Sequence, residues 1–179
     1  GELQRVIIFS GKKDKVKDIT RELKHMKINC APMHSDLSQA ERDDVMFRFK
    51  SGQVDVLVAT DIVARGIDID DILMVINYDV PRDAEDYVHR IGRTARAQRD
   101  GIAITFVSDA DIRYFADIER FLERNIPKNP LPEGLGDGPE YKPSAPRKNS
   151  RGRGGRNRGG KGHSGKHQHR RKSNKPKEN

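Results

Sequence analysis

Four short apolar runs, rich in β-branched residues, decide what this chain can build. They are Val6–Ser10 (VIIFS), Val54–Ala59 (VDVLVA), Ile72–Tyr78 (ILMVINY) and Gly101–Val107 (GIAITFV). Their length and composition read as strands. Ala31-Pro32-Met33 adds a weaker one. Between them the pattern changes. From Asp14 the apolar residues fall at Val16, Ile19, Leu23 and Met26, the spacing of a helix with one buried face. Ser38 with Glu41 forms a capping box for a second helix running through Ser51 and stopped by Gly52. Asp83 caps a third helix that ends near Gly92, where the chain is released into a loop. Ile112, Phe115, Ile118 and Leu122 mark a fourth. Strands alternating with helices predict an α/β fold: right-handed crossovers and a mainly parallel sheet with helices on both faces.

In such sheets ligands bind at the carboxyl ends of the strands. Ser10-Gly11-Lys12, His34-Ser35, Thr60-Asp61 and Asn77-Tyr78 each follow a strand. Four polar clusters are therefore expected on one edge of the sheet, and that edge is the expected functional surface.

Composition divides the chain near residue 125. Residues 1–125 hold 55 of the 60 hydrophobic residues and nine of the ten aromatics. Residues 126–179 keep only Ile126, Leu131, Leu135, Tyr141 and Ala145, with seven of nine prolines and ten of sixteen glycines. So few apolar groups do not offset the entropy of ordering, so the expectation is a globular domain over 1–125 and a disordered basic tail over 126–179. Charge divides at the same place: net −3 for residues 1–125 and +11 for 126–179. The tail is thus a general polyanion binder, while any nucleic-acid surface on the domain is a local patch.

One cysteine, Cys30, excludes an internal disulfide framework and a cysteine-rich zinc site. No apolar stretch approaches the ~18 residues of a membrane span, and no metal site is expected. A soluble, cytoplasmic, monomeric protein is expected.

Two clusters carry the chemistry. In Tyr87-Val88-His89-Arg90-Ile91-Gly92-Arg93-Thr94-Ala95-Arg96, three arginines spaced by three surround a helix end. Planar guanidinium groups there fit phosphate oxygens in two-point geometry; a solvated helix face or ion pairs to Asp83, Glu85 and Asp86 is the plainer reading of the spacing. In Ala59-Thr60-Asp61-Ile62-Val63-Ala64-Arg65-Gly66-Ile67-Asp68, a strand ends in a hydroxyl and a carboxylate before an arginine and a glycine. Thr60 and the backbone near Gly66 suit a phosphodiester and Asp68 a ribose hydroxyl, although Thr60-Asp61 alone reads more simply as a helix cap.

Together, ATDIVARGID followed by YVHRIGRTAR resembles motifs V and VI of the DEAD-box RNA helicases of superfamily 2. The resemblance spans residues 3–125, with VIIFSGKK at the place of motif IV and MHSDLSQAERDDVMFRFKSG at that of motif IVa. It covers only the second of that family's two RecA-like domains. His89 at the head of motif VI is similar to the DEAD-box group, and the glycine- and arginine-rich tail is similar to those of bacterial RhlE-like members.

The resemblance implies roles by position. Arg93 and Arg96 match the arginine fingers that reach ATP held by the partner domain. Gly66, Asp68, His89 and Arg90 match positions of the nucleotide site and its coupling, Asp68 lying near the ribose. Gln39, Arg42, Thr60, Arg65 and Gly66 match positions that grip the RNA backbone. ATP and Mg²⁺ are implied as ligands, bound mainly by the N-terminal RecA-like domain, and RNA as the partner. Ala95, Gln98, Ser35 and Gly11 depart from the family's pattern.

Neither a G-x-x-x-x-G-K-[ST] loop nor a D-E-A-D tetrapeptide occurs in these 179 residues. The chain by itself is therefore expected not to hydrolyse ATP. In the tail, Arg151, Arg153, Arg156 and Arg158 lie in an RG-rich tract without aromatics, suited to electrostatic, sequence-independent binding of single strands; a merely solubilising tail is the plainer reading. The leading reading is the C-terminal half of an ATP-dependent RNA helicase. A non-catalytic RNA-binding or annealing module on the same fold is the alternative, and a DNA translocase domain is disfavoured by His89 and the tail.

Overall fold

The structure, a computed structural model, describes residues 5–61, 72–94 and 101–143. Five strands form one sheet: β1 (Val6–Phe9), β2 (Cys30–Met33), β3 (Val56–Ala59), β4 (Met74–Asn77) and β5 (Ile102–Thr105). Their order is β2-β3-β1-β4-β5, and every neighbouring pair is parallel. Four helices are described: α1 (Lys13–His25), α2 (Gln39–Lys50), α3 (Ala84–Ile91) and α4 (Ile112–Phe121). This is the RecA-like α/β architecture expected.

The two faces of the sheet follow from strand alternation. Ile7, Phe9, Leu57, Ala59 and Val75 project to one side, where Phe49, Val45 and Met46 of α2 pack on them. Val6, Ile8, Val56 and Val58 project to the other, against Val16, Ile19 and Leu23 of α1. A third cluster joins α3 to α4 through Val80, Tyr87, Phe115 and Ile118.

Local signals act as expected at α2. The Ser38 hydroxyl accepts from the Glu41 amide, and the Glu41 carboxylate accepts from the Ser38 amide. Gly52 then takes φ +75, a left-handed conformation that lets the chain leave the helix. Asp83 caps α3 by accepting from the Glu85 amide. Gly92, by contrast, keeps φ −61 and closes α3 in right-handed geometry. The release expected there is instead a tight turn, with the Arg93 amide donating to Arg90 O and the Thr94 amide to Ile91 O.

The packed unit runs past residue 125. Ile126 and Tyr141 pack into the α3–α4 cluster, and the Tyr141 ring meets Phe115 edge to face at 5.9 Å. Buried Glu119 fastens this segment, accepting from the Ile126 amide, the Tyr141 hydroxyl and the Lys128 ammonium. These contacts lie beyond the boundary expected from composition: one carboxylate and one aromatic hold Ile126 and Tyr141 against the domain, while the stretch between them is polar and exposed.

Candidate functional site

Because all five strands are parallel and in register, the four polar clusters share one edge. Phe9 lies opposite Ala59 and Asn77, and Met33 opposite Ala59, so the residues that follow form a continuous rim.

The centre of this rim is Arg90, from the last turn of α3, only 3% exposed. Its Nε and Nη2 donate to the two carboxylate oxygens of Asp61 at 2.6 and 2.7 Å. Nη1 donates to Asn77 Oδ1 and to Asp79 O, both at 3.0 Å. The guanidinium lies over the Phe9 ring, 5.2 Å from its centroid. A buried charge needs such saturation of its donors, and arginine's planar fork suits it better than a lysine ammonium. Asn77 passes the network on by donating to Thr105 Oγ1 at 3.0 Å.

Asp79 extends the rim to β1. Its carboxylate accepts from Ser10 Oγ at 2.6 Å, the Gly11 amide at 3.0 Å and Lys15 Nζ at 2.8 Å. Burial pushes its carboxyl up, but the Lys15 and Ser10 hydrogen bonds outweigh this and hold it below the ordinary carboxylate value. Asp61, Asn77 and Asp79 are therefore structural members of the rim.

At the other end of the rim, the Thr60 amide donates to Met33 O, which sets Thr60 beside the His34-Ser35 turn. Arg42 reaches back from α2, Nη2 donating to Ser35 O at 3.2 Å. The Nε of Arg42 and Nδ1 of His34 are buried without a hydrogen-bond partner among the described residues. Burial and the charges of Lys17, Lys13 and Arg42 outweigh the opposing pull of Asp36 and lower the pKa of His34 below the ordinary histidine value. Asp36, exposed between Lys13 and Lys17, is pulled down to about 2 by their hydrogen bonds. Gln39 is exposed, its Nε2 donating to Asp43 Oδ1 at 2.8 Å.

Of the residues singled out from sequence, Thr60, Arg42 and Arg90 belong to this rim, with Gln39 on the first turn of α2. His89 is exposed on α3, and Arg93 is half-buried in the turn that follows it. Arg65, Gly66, Asp68, Arg96, Arg151, Arg153, Arg156 and Arg158 lie outside the described residues. Sequence reasoning missed Asp61 and Asp79 as partners. The signal for Asp61 was its place at the end of β3, where a carboxylate faces whatever cation a neighbouring helix supplies.

The Arg90, Ser10 and Gly11 donors are taken up within the protein, so Arg42 and the Thr60 side chain are the guanidinium and hydroxyl groups of this rim suited to an anionic backbone. Among the described residues no group of three or more His, Cys, Asp or Glu side chains is placed to hold a metal ion. None of the described helices is long and apolar enough to cross a membrane.

Known proteins agree with this geometry. The family described as Helicase conserved C-terminal domain matches residues 2–98. Eukaryotic initiation factor 4A of Dictyostelium discoideum is 43% identical over 129 residues, 72% of this chain and 32% of that protein. DEAD-box ATP-dependent RNA helicase 46 of Arabidopsis thaliana is 49% identical over 119 residues, 66% of this chain and 18% of its own. The chain spans about a third or less of these curated relatives. Among solved structures, the E. coli DEAD-box protein SrmB, bound to regulator of ribonuclease activity A, superposes with a TM-score of 0.66 at 41% identity, covering 69% of this chain and 72% of that one. The C-terminal domain of the DEAD-box protein Dbp5 superposes with a TM-score of 0.64 at 35% identity, covering 68% and 72%. The parallel sheet, the rim at its strand ends and these likenesses agree: the chain belongs to the helicase C-terminal domain family, as the C-terminal domain of the DEAD-box RNA helicases.

Proposed function

We propose that this chain is the C-terminal half of an ATP-dependent RNA helicase whose N-terminal RecA-like domain holds the nucleotide and Mg²⁺. Arg93 and Arg96 reach across to the phosphates, and Asp68 lies near the ribose. Gly66, His89 and Arg90 couple that site to the rest of the domain. Gln39, Arg42, Thr60, Arg65 and Gly66 grip the RNA backbone, and Arg151, Arg153, Arg156 and Arg158 tether RNA electrostatically. The protein works as a cytoplasmic monomer of the RhlE-like type.

The observation that supports this best is the placement of Arg42, Ser35 and Thr60 on the same rim as Arg90, three residues before Arg93. An RNA-gripping surface and a phosphate-reaching arginine on one rigid edge are what positioning and charge stabilisation in phosphoryl transfer need.

The test is complementation. Chain 1–179 alone is expected to show no ATP hydrolysis. A protein that joins it to an N-terminal domain bearing the phosphate loop and D-E-A-D segment is expected to hydrolyse ATP on adding RNA. RNA-independent turnover by purified 1–179, lost on Arg93→Ala, would overturn the assignment.

A further inference from the structure

We propose that His34 is a positioning residue for Arg42: its Nδ1 accepts from Arg42 Nε and so aims the guanidinium of Arg42 at the RNA backbone. This role rests on the reading of Arg42 as an RNA-gripping residue.

Two orphaned atoms point to it. His34 is only 5% exposed, and its Nδ1 and the Nε of Arg42 are both buried without a hydrogen-bond partner among the described residues. Buried polar atoms are seldom left unpaired. These two are complementary: an arginine Nε–H only donates, while the Nδ1 of a neutral ring protonated at Nε2 only accepts. One hydrogen bond between them satisfies both.

Their placement agrees. Arg42 stands in the first turns of α2, its amide donating to Ser38 O, and its Nη2 donates to Ser35 O at 3.2 Å, one residue beyond His34. In a planar guanidinium the Nε–H and one Nη2–H point the same way, along one side of the plane. That side therefore faces the His34–Ser35 turn. The turn is itself fixed, the Leu37 amide donating to His34 O and the Thr60 amide to Met33 O. What remains is the end of the guanidinium, Nη1 with the second Nη2 hydrogen, a two-point edge that suits phosphate oxygens. A single contact to Ser35 lets the plane swing. A second, from His34, locks it and lowers the cost of ordering the side chain on binding.

Electrostatics favour the accepting form of the ring. The charged groups around His34 are Lys13 and Lys17 of α1, Asp36 of the turn between β2 and α2, and Glu41 and Arg42 of α2. Burial and the three cations outweigh Asp36, so the neutral imidazole is favoured. Protonation would set an N–H against the Arg42 Nε–H. Acid is therefore expected to release Arg42.

The test has two parts. In chain 1–179, ¹⁵N NMR of His34 is expected to show a bare Nδ1 and a protonated Nε2. Exchange of the Arg42 Nε hydrogen is expected to quicken ~10-fold or more in His34→Leu. A proton on Nδ1, or equal exchange in the two chains, overturns the proposal. In the second part the chain is joined to an N-terminal RecA-like domain, and RNA is titrated with a non-hydrolysable nucleotide present. His34→Leu is expected to weaken binding roughly tenfold, the scale of a hydrogen bond to a charged group. Combined with Arg42→Ala it is expected to add little to the effect of Arg42→Ala alone. His34→Asn, whose Oδ1 can take the place of Nδ1, is expected to bind nearly as the parent does. As pH falls below the ordinary histidine value of about 6.5, the parent is expected to lose affinity relative to His34→Asn. The tail histidines, common to both chains, cancel in that ratio. A ratio constant with pH, or fully additive losses in the double variant, overturns the proposal. The two readings fail separately. If Arg42→Ala binds RNA as the parent does, the RNA grip of Arg42 is refuted and its aiming with it. If Arg42→Ala weakens binding and His34→Leu does not, only the positioning role of His34 is refuted.

Discussion

Arg90 grips Asp61 through two parallel hydrogen bonds of 2.6 and 2.7 Å, fastening the last turn of α3 to the end of β3. Arg90 is buried and Asp61 about a quarter exposed, so removing the cation leaves a partly desolvated carboxylate and an unpaired Asn77 oxygen. Arg90→Met is expected to cost about 3 kcal/mol, the lower end for a broken buried pair. Arg90→Lys keeps the charge but loses the fork, and is expected to cost less. Urea denaturation of the three chains checks the order; a Met variant as stable as the parent would remove the pair from the fold's energetics.

Gly101 stands where no side chain fits. A Cβ there would come within 2.2 Å of Thr94 Cβ and 2.8 Å of Thr94 O. Thr94 closes the turn that holds Arg93, its hydroxyl donating to Ile91 O at 2.9 Å. Gly101→Ala is therefore expected to destabilise by ~1–3 kcal/mol, the usual cost of forcing atoms into a filled site. Adding Thr94→Ala should not rescue it, because the Cβ and carbonyl that clash remain. Thermal melts of the single and double variants test this, and recovery in the double variant would contradict it.

How much was legible depended on the range of each interaction. The Ser38–Glu41 capping box spans three residues and follows from local spacing alone. The shared rim was legible because parallel strands place all their carboxyl ends on one side. The partners of Arg90 were not, since Asp61 lies 29 residues away and Asn77 13. No periodicity reports which strand end a helix terminus will meet. The docking of Ile126 and Tyr141 escaped for another reason: composition averaged over residues 126–179 dilutes these two residues among polar ones.

Those anchors make the segment sensitive to acid. Burial alone would raise the pKa of Glu119, but hydrogen bonds from Lys128, Tyr141 and the Ile126 amide outweigh it and leave the value below the ordinary 4.5. A carboxylate with a depressed native pKa contributes stability that is fully present above its unfolded value and is lost as pH falls through the native one. Ile126 and Tyr141 are thus expected to stay docked at pH 7, and the segment between them to be cleaved more readily as pH falls below the ordinary glutamate value. Glu119→Gln should be cleaved more readily at pH 7 and with a much flatter pH dependence. If the parent and Glu119→Gln chains show the same pH profile, Glu119 does not govern the segment.

In the proposed two-domain helicase, Arg93 and Arg42 should divide the work. Arg93→Ala is expected to reduce kcat by ~10³-fold or more, within the range for arginine fingers, with little change in RNA affinity without nucleotide. Arg42→Ala removes a rim donor tied to Ser35 and is expected to weaken RNA binding, chiefly in the nucleotide-bound closed state. Steady-state ATP hydrolysis and RNA titrations with and without a non-hydrolysable nucleotide separate the two. Indistinguishable profiles would refute the division.

The basic tail lends itself to a salt titration. Residues 144–179 carry thirteen lysines and arginines against one acidic residue, net +12, whereas residues 1–143 are net −4. Most nucleotide-independent RNA affinity is therefore expected from the tail. Each phosphate neutralised on a single strand contributes ~0.7 to the slope of log K against log salt. If about five phosphates are engaged at once, truncation after Pro143 should flatten that slope by roughly 3–4. Cutting there, beyond Tyr141, leaves the Glu119 anchor intact, so the change reports the tail alone. Binding should weaken about equally for two unrelated single strands, because a Gly/Arg tract without aromatics has little means of reading bases. An unchanged slope would reduce the tail to a solubility element, and a loss confined to one RNA sequence would make it a specific reader.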